Sequence, residues 1–168
     1  LEEVVTYTLC SPEVQFDMMR LERRNFVEVL RPKMGEMRTL RTWILPNLLQ
    51  VLRHSKKEKF PQRIFEIGKT IKRERNRIVE RDILCIAISH SRAGYSDVKA
   101  ILDSLISVLE ITVRIEPVSH PSFIPGRVGE IRAERALGLI GEVHPEVLEN
   151  FSLENPVAAM ELDIDALL

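Results

Sequence analysis

Short stretches of alternating apolar and polar residues recur along the chain, and this is the pattern of strands with one buried face. Val5, Tyr7 and Leu9 alternate with threonines, and residues 63–67 alternate again before Gly68, which is predicted to mark a bulge or a turn. Further strands are predicted at residues 26–30, 83–88, 111–115, 128–132, 137–140 and 157–162.

Two neighbouring stretches differ sharply in polarity. Residues 83–88 are apolar throughout and rich in β-branched side chains, which predicts a central strand buried on both faces. Residues 72–82 contain almost no apolar side chain. We therefore expect them to form an exposed connection between strands.

Helical spacing is clearest in two long segments. From Met37 to Leu52 apolar residues recur at steps of three and four, which predicts an amphipathic helix with a broad apolar face. Pro46 lies inside this segment and removes a backbone donor, so a kink or break is expected near Leu45. Ser96 is predicted to cap the second helix. Its inward positions are Val98, Ile101, Leu102, Leu105, Ile106 and Leu109.

Two shorter helices and several hairpins complete the predicted fold. Ser11 before Pro12 is a helix-start signal for a short helix to about Met19, and Pro145 begins another. Strands outnumber long helices, and neighbouring strands such as 128–132 and 137–140 pair as hairpins. This predicts an α+β fold, with a mostly antiparallel sheet and helices packed against one face. We expect residues 1–168 to form a single globular domain.

Composition indicates a cytoplasmic protein. The two cysteines, Cys10 and Cys85, lie in apolar strand-like runs and are predicted to be buried free thiols, as in a reducing compartment. The longest apolar runs fall well short of the roughly 18 residues that span a membrane. The acidic start at residues 2–3 is unlike a signal peptide. Without an initiator Met, and with a capped apolar turn opening at residues 163–168, we expect a piece of a longer chain.

Charge is distributed unevenly, although the formal net charge is only −1. Residues 20–81 hold 18 of the 24 Lys and Arg residues but 7 of the 25 Asp and Glu residues. Clustered cations of this kind indicate a side that faces a polyanion such as nucleic acid. Alternatively, the two parts attract each other or a partner chain.

The segment 120–127 is the most individual loop of the sequence, because two prolines and a glycine fix an irregular path. It either lines a pocket or forms a stiff connection in which Phe123 fills the core and Arg127 pairs with a carboxylate. His144, before Pro145, is either an acid–base group or the cap of a turn. The candidate residues in this loop are His120, Pro121, Phe123, Pro125, Gly126 and Arg127.

Patterns of established catalytic and cofactor sites are not recognisable. The four histidines lie far apart without a second His or Cys at metal-ligand spacing, so no metal site is predicted. The segment 89–91, Ser-His-Ser, lacks a recognisable orienting acid and oxyanion site. The segment 138–141, Gly-Leu-Ile-Gly, lacks both dinucleotide-binding and P-loop spacing. We predict no catalytic residue and no cofactor site.

Five ordered segments resemble one protein family. Residues 3–9 (EVVTYTL) resemble its strand entry E-V-x-T-Y-S-L, and residues 37–49 (MRTLRTWILPNLL) resemble its helix L-R-x-S-L-L-P-G-L-L. Residues 65–68 match F-E-I-G, residues 120–127 match H-P-x-x-x-P-G-R, and residues 140–148 match I-G-x-x-H-P-x-V. Over nearly its whole length the chain resembles the class II synthetase-like module of the phenylalanyl-tRNA synthetase β chain.

This resemblance implies a class II synthetase core that has lost the residues that bind ATP and activate the amino acid. Class II enzymes grip ATP with arginines on a motif 2 strand and after a glycine-rich motif 3, because guanidinium forks match phosphate oxygens. Residues 65–68 contain no arginine, and residues 160–165 contain neither glycine nor arginine. The family's ATP and Mg²⁺ are therefore expected to act elsewhere in the holoenzyme, and the chain by itself is expected to be no enzyme.

Departures from the family pattern also carry information. Arg31-Pro32 stands where Asn-Pro is usual, which indicates an archaeal- or eukaryote-type version, and Asn47 replaces the glycine after Pro46. The family's editing domain, its magnesium-associated segment and its nucleic-acid-binding modules are not recognisable in these residues.

The resemblance also implies partners. The segment 37–52 is similar to the class II motif 1 helix, which packs against a second core, and its apolar face is broader than one sheet needs. We expect contact with the α chain or a second β chain, within an αβ heterotetramer that attaches Phe to tRNA(Phe). Two rivals are a working ATP-binding ligase and a module that contacts tRNA through residues 20–81. The predicted interface residues are Leu40, Trp43, Ile44, Leu48 and Leu52.

Overall fold

The computed structural model describes residues 1–32 and 35–167. Within them the strands β1 to β10 are Glu2–Glu3, Leu9–Cys10, Val27–Glu28, Thr39–Leu40, Gln62–Glu74, Arg77–Ser89, Arg114–Pro117, Phe123–Arg132, Ala136–Val143 and Val157–Asp163. The helices α1 to α4 are Leu45–His54, Tyr95–Val108, Pro145–Asn150 and Ile164–Leu167, and Glu13–Asp17 forms a π-helical turn.

A seven-stranded sheet in the order β1-β5-β6-β10-β9-β8-β7 organises the chain. Its neighbours are antiparallel, except that β1 pairs with β5 in parallel. A small second sheet has the order β2-β4-β3. The predicted α+β class and the mostly antiparallel sheet are confirmed.

The central strand β6 is covered on both faces. Cys85 and Ala87 pack into a core under α1 and α3, whereas Ile86 and Ile88 pack into a second core under α2. The prediction that 83–88 is buried on both faces is therefore confirmed. The prediction that helices cover only one face is wrong, because a strand with two apolar faces needs apolar cover on each side.

The predicted helix over residues 37–52 is wrong in its first half. Residues 39–40 form β4 between β2 and β3, and the helix runs from Leu45 to His54. Pro46 therefore lies in the first helical turn, where its missing N–H group has no intrahelical partner to lose. The expected kink is absent from α1, since the proline begins the helix.

The charged stretch 72–82 belongs to a long hairpin. Strands β5 and β6 pair without interruption from Gln62↔Ser89 to Glu74↔Arg77 around a two-residue turn, and Gly68 sits in regular register. Strand β10 pairs with β6 only from Ile83 onward, so residues 69–82 continue beyond it as a two-stranded ribbon. The predicted exposure is confirmed for residues 73–78, but the stretch forms two paired strands instead of a connection. The predicted bulge or turn at Gly68 is wrong.

The first residues also differ from prediction. Residues 2–3 and 9–10 form strands, and between them Val5 and Tyr7 are 87% and 80% exposed rather than buried on a sheet face. The short helix after Ser11 is a π-helical turn, although the Ser11 hydroxyl does accept a hydrogen bond from the Val14 N–H at 3.2 Å.

Most elements after residue 90 follow the predictions. Helix α2, the hairpin β8–β9, helix α3 and strand β10 are confirmed within a few residues. The predicted cap at Ser96 is wrong, because helix α2 begins at Tyr95 and Ser96 lies in its first turn. Gly94 is the N-cap residue, and its N–H donates to the Asp97 carboxylate at 3.0 Å. Strand β7 lies at Arg114–Pro117, three residues later than predicted, and β3 covers only two residues of 26–30.

Candidate functional site

A cleft of about 510 Å³ opens on the α1 face of the large sheet. Its floor is formed by β5, β6, β10 and β9, and includes Ile83, Leu139 and the carboxylate of Glu161. The segment that leads into α1 and the segment that leads into β8 line the cleft above this floor. A concave site on a sheet, with apolar walls and a few polar groups, is where a small ligand would be expected to bind.

Three aromatic rings form one side of the cleft. The ring centroid of His120 lies 5.6 Å from that of Trp43 and 5.3 Å from that of Phe123. Burial lowers the pKa of His120, and the nearby Lys72 ammonium lowers it further. The His120 Nδ1 atom accepts from the Ser122 N–H at 3.3 Å. A neutral imidazole is therefore favoured in this wall at neutral pH.

The carboxylate of Glu161 holds the start of α1. Its Oε1 atom accepts hydrogen bonds from the backbone N–H groups of Ile44 and Leu45, the latter at 2.8 Å. Loss of water around the carboxyl group raises the pKa of Glu161, against the lowering effect of these N–H groups and of Lys72. A sheet side chain on the cleft floor thus caps a helix whose first turn lacks an acidic residue.

Arginines at the mouth of the cleft are occupied within the chain. Arg81 pairs with Glu74 at 2.6 Å and with Asp163 at 3.3 Å. Arg135 donates to the backbone carbonyls of Ala166 and Asp165, at 3.2 and 2.9 Å. These contacts leave the two guanidinium groups with fewer free donors for a phosphate ligand.

A buried ion pair lies beside the cleft, between the loop before α1 and β5. Arg41 and Glu66, each with a side chain only 2% exposed, are 2.7 Å apart. Arg41 also donates to the Thr6 hydroxyl and to the Lys69 carbonyl, both at 2.8 Å, and that hydroxyl donates to Glu66 at 2.7 Å. A Cβ atom at Gly68 would lie 2.2 Å from an Arg41 nitrogen, so the glycine makes room for the guanidinium.

The predicted loop residues are divided between the core, the cleft and the surface. Phe123 is 2% exposed in the core, and together with His120 it lines the cleft. Arg127 pairs with Glu142 at 2.6 Å. His144 caps α3, with its Nδ1 atom accepting from the Glu146 N–H at 3.2 Å. Three further positions are exposed, namely Pro121, Pro125 and Gly126. The predicted irregular loop is wrong for residues 123–127, which form the first half of β8, because a register shift against β9 between Phe123 and Val128 accommodates them in the sheet.

The predicted interface residues lie mainly inside this domain. Trp43, Ile44, Leu48 and Leu52 are 8%, 0%, 0% and 2% exposed and belong to the core under α1 and α3. Leu40 is half-buried in β4. The broad apolar stripe from which the interface was predicted is thus accounted for by the chain's own core. A partner contact of these residues stays a prediction.

A second depression, the edge groove, lies between residues 5–10, α1 and the π-helical turn, with a volume of about 950 Å³. Its lining includes the exposed side chains of Val5 and Tyr7 and the half-buried Val51. Alternation predicted Val5 and Tyr7 to be buried. Their exposure is a tertiary property, since no element among the described residues covers this side of the segment.

Two features of the site were not predicted from the sequence. The first is the pairing of Arg41 with Glu66, which lie 25 positions apart in the sequence. The second is the capping of α1 by Glu161, which lies more than 100 positions after the helix. The sequence carries no signal for either contact. Gly68 was a visible signal, because a glycine inside a strand often marks a close approach of another group.

Comparison with known proteins identifies the family. A family model described as the phenylalanyl tRNA synthetase beta chain CLM domain matches residues 1–164. The chain belongs to this family. It is 40% identical to the phenylalanine–tRNA ligase beta subunit of Thermococcus sibiricus and 42% identical to that of Pyrococcus furiosus, in each case over 166 residues and 96% of this chain. These relatives are archaeal, in agreement with the expected archaeal- or eukaryote-type version.

The chain spans about 30% of the length of the relatives that it matches. A class II synthetase, the pyrrolysyl-tRNA synthetase from Desulfitobacterium hafniense, has a similar structure. The TM-score is 0.79, with 16% sequence identity over 99% of this chain and 62% of that one. The predicted class II synthetase fold is thereby confirmed for this CLM domain. Helices long and apolar enough to cross a membrane were not found among residues 1–32 and 35–167.

Proposed function

We propose that this CLM domain is a non-catalytic assembly module of a cytoplasmic phenylalanine–tRNA ligase. In this proposal it packs against the catalytic α chain and contributes to an αβ heterotetramer. Activation of phenylalanine with ATP and Mg²⁺ then takes place on the α chain, which attaches the amino acid to tRNA(Phe). The CLM domain itself forms no adenylate.

The carboxylate on the cleft floor is the observation that carries the proposal. In a class II core this sheet face is expected to bind ATP, whose triphosphate needs free guanidinium groups. Here β10 presents Glu161 and Asp163 to the cleft, and Arg81 and Arg135 are held by acceptors of the same chain. A triphosphate would meet two carboxylates and would have to compete for both arginines.

An assembly role is supported by the edge groove. Val5 and Tyr7 are among the most exposed large apolar residues of the described chain, and they lie together in a groove beside α1. Adjacent exposed apolar side chains of this kind are typical of protein–protein contacts. We propose that the α chain occupies this groove, rather than contacting the buried Trp43, Ile44 and Leu48.

The proposal is tested by two measurements on the purified chain. The first is phenylalanine-dependent exchange of pyrophosphate into ATP, for which we expect no signal above a protein-free blank. The second is co-purification with an α chain from a related archaeon, followed by the mass of the complex, for which we expect a stable assembly. Adenylate formation by this chain alone would overturn the non-catalytic role, and failure to retain the α chain would overturn the assembly role.

A second candidate function is contact with tRNA through the basic region 20–81. It is favoured by the ribbon of residues 69–82, which carries arginines beyond the edge of β10. Retention of tRNA that falls steeply with salt would support this candidate, because counterion release makes phosphate contacts salt-dependent. Weak binding that is insensitive to salt would count against it.

A further inference from the structure

The tip of the ribbon, residues 73–78, is exposed at every position. It carries three arginines within five residues, Arg73, Arg75 and Arg77. The register places Arg73 opposite Ile78 and Glu74 opposite Arg77. Since paired residues point to the same face of a ribbon and successive residues to opposite faces, Arg73 and Arg77 leave opposite faces, with Arg75 at the turn between them.

Carboxylates near the tip are already engaged by other cations. Glu74 is bound by Arg81 at 2.6 Å, and this hydrogen bond lowers the pKa of the Glu74 carboxyl group. Glu80 and Asp82 are bound by Lys69, at 2.7 and 3.3 Å. As far as residues 1–32 and 35–167 show, the three tip arginines make no ion pair or side-chain hydrogen bond, and the tip keeps a local excess of positive charge.

The ribbon is held in place near its tip. The Arg73 N–H donates to the Asn25 carbonyl at 2.9 Å, and the Ile71 N–H donates to the Arg41 carbonyl at 2.9 Å. The Ile71 side chain is 8% exposed, so the ribbon is packed against the domain up to this position. A braced backbone presents the arginines without the entropy cost of ordering a flexible loop on binding.

Two explanations of the arginine-rich tip predict different preferences between arginine and lysine. Charges on an exposed strand protect it against pairing with other chains, and for that purpose lysine serves as well as arginine. Phosphate groups instead favour arginine, whose planar fork makes two parallel hydrogen bonds to one phosphate. Three arginines and no lysine at the tip fit the second demand better.

We propose that Arg73, Arg75 and Arg77 at the ribbon tip bind the phosphodiester backbone of an RNA strand. The inference goes beyond the assembly role and rests on the second candidate function. It assigns the phosphate contacts of that function to one hairpin. The remaining Lys and Arg residues of region 20–81 then contribute only a long-range electrostatic attraction for the RNA.

The test measures binding of fluorescently labelled bulk tRNA to the purified chain by anisotropy between about 50 and 300 mM salt. The triple variant Arg73→Ala/Arg75→Ala/Arg77→Ala is expected to bind at least tenfold more weakly at about 100 mM salt. The slope of log affinity against log salt is expected to be shallower by about 2 to 3, because each lost phosphate contact removes a little under one unit. The corresponding triple lysine variant should keep most of the slope but bind more weakly than the wild type.

A matched control removes the same charge elsewhere. The variant Arg92→Ala/Lys99→Ala/Arg114→Ala changes the net charge equally, outside the basic region, and should bind tRNA within about twofold of the wild type. Circular dichroism establishes that each variant is folded. Vesicles containing phosphatidylserine provide a second polyanion.

Three outcomes would overturn the inference. Equal loss of binding in the tip and control variants would mean that only net charge matters. Unchanged binding in the tip variant would mean that RNA binds elsewhere in the chain, and the second candidate function would survive. Tip-dependent binding to vesicles without binding to tRNA would make the partner a lipid surface. The assembly role is judged independently by co-purification with the α chain.

Discussion

Arg41 and Glu66 form an ion pair that water does not reach, and their separation in sequence makes them a tertiary link. Isolated buried charges are costly, so the pair is held by further hydrogen bonds from Thr6 and to the Lys69 carbonyl. Through these contacts one guanidinium ties the first residues of the chain to β5 and to the loop before α1. Its removal should therefore cost far more than removal of a surface charge.

We predict that Arg41→Met lowers the free energy of unfolding in urea by about 3–5 kcal/mol, because it leaves Glu66 buried and unpaired. The double variant Arg41→Met/Glu66→Gln should recover part of this loss. Arg38→Met is a suitable control, because the Arg38–Glu28 pair at 3.2 Å is about half exposed. Its effect should stay within about 1 kcal/mol. Equal effects at positions 38 and 41 would contradict the buried link.

Glu161 gives a prediction about pH. Burial raises the pKa of the folded-state carboxyl group above its ordinary value of 4.5. The folded chain therefore holds this proton more tightly than the unfolded chain, so the contribution of Glu161 to stability falls as pH rises from 4.5 through the folded-state pKa. Above that pKa the contribution stays constant.

Glu161→Gln should remove this pH-dependent contribution, while its amide oxygen still accepts from the first N–H groups of α1. We expect the fall in unfolding free energy between about pH 4.5 and pH 8 to be smaller in the variant than in the wild type, as measured by urea unfolding at several pH values. Glu154→Gln, at an exposed position, is the control. An unaltered pH profile in Glu161→Gln would show that the carboxyl group does not titrate differently on folding.

At the scale of elements, periodicity predicted those stretches in which local pattern and tertiary burial agree. The strand 83–88 is apolar on both faces because it lies at the centre of the sheet, and α2 shows its apolar spacing because one face packs on Ile86 and Ile88. The hairpin β8–β9 and strand β10 were found for the same reason. The fold class followed from these elements.

Elements whose structure depends on pairing with distant segments, or whose residues are exposed to water, were not predicted from the sequence. Leu40 has helical spacing relative to the apolar residues of α1, but Thr39 and Leu40 pair with β2 and β3 as a strand. The end of the ribbon was missed because residues 73–78 are exposed at every position, so no buried apolar face marks them as strand. For the candidate site, sequence indicated His120 and Phe123, whereas the contacts of Glu161 and Arg41 depend on folding and were not predictable from local pattern.

Helix α1 provides a prediction at this scale. Leu48 is fully buried in the core, so Leu48→Ala should lower the unfolding free energy by about 2–5 kcal/mol. Val51→Ala, three positions later and half-buried, should cost roughly 1 kcal/mol or less. Thermal and urea unfolding of the isolated chain measure both. A Leu48→Ala protein of normal stability that fails to assemble would instead place Leu48 at a partner interface.

For the whole molecule, exposed apolar surface and charge lie in different places. The edge groove carries Val5 and Tyr7, whereas the excess of cations is concentrated in residues 20–81, which include the exposed ribbon tip. Under the two proposals the α chain contacts Val5 and Tyr7 and the RNA contacts the ribbon tip, so the two partners would not compete for the same residues. Assembly and RNA binding should be separable by mutation.

We predict that Val5→Asp/Tyr7→Asp abolishes co-purification with the α chain, because it places two carboxylates in the apolar groove. Both side chains are at least 80% exposed, so the unfolding free energy should change by no more than about 0.5 kcal/mol. Val108→Asp, at an equally exposed site on α2, should assemble normally. Retention of the α chain by the double variant would exclude the groove as the contact.

The position of β10 affects how the chain acquires its fold during synthesis. This strand follows all its neighbours in sequence, yet it lies between β6 and β9 and hydrogen-bonds to both. Until β10 leaves the ribosome, the edges of β6 and β9 that pair with it in the folded chain have no such partner. Nascent chains that stall before residue 157 would therefore expose two unpaired strand edges, which are prone to aggregation. We expect chaperones to bind these incomplete chains.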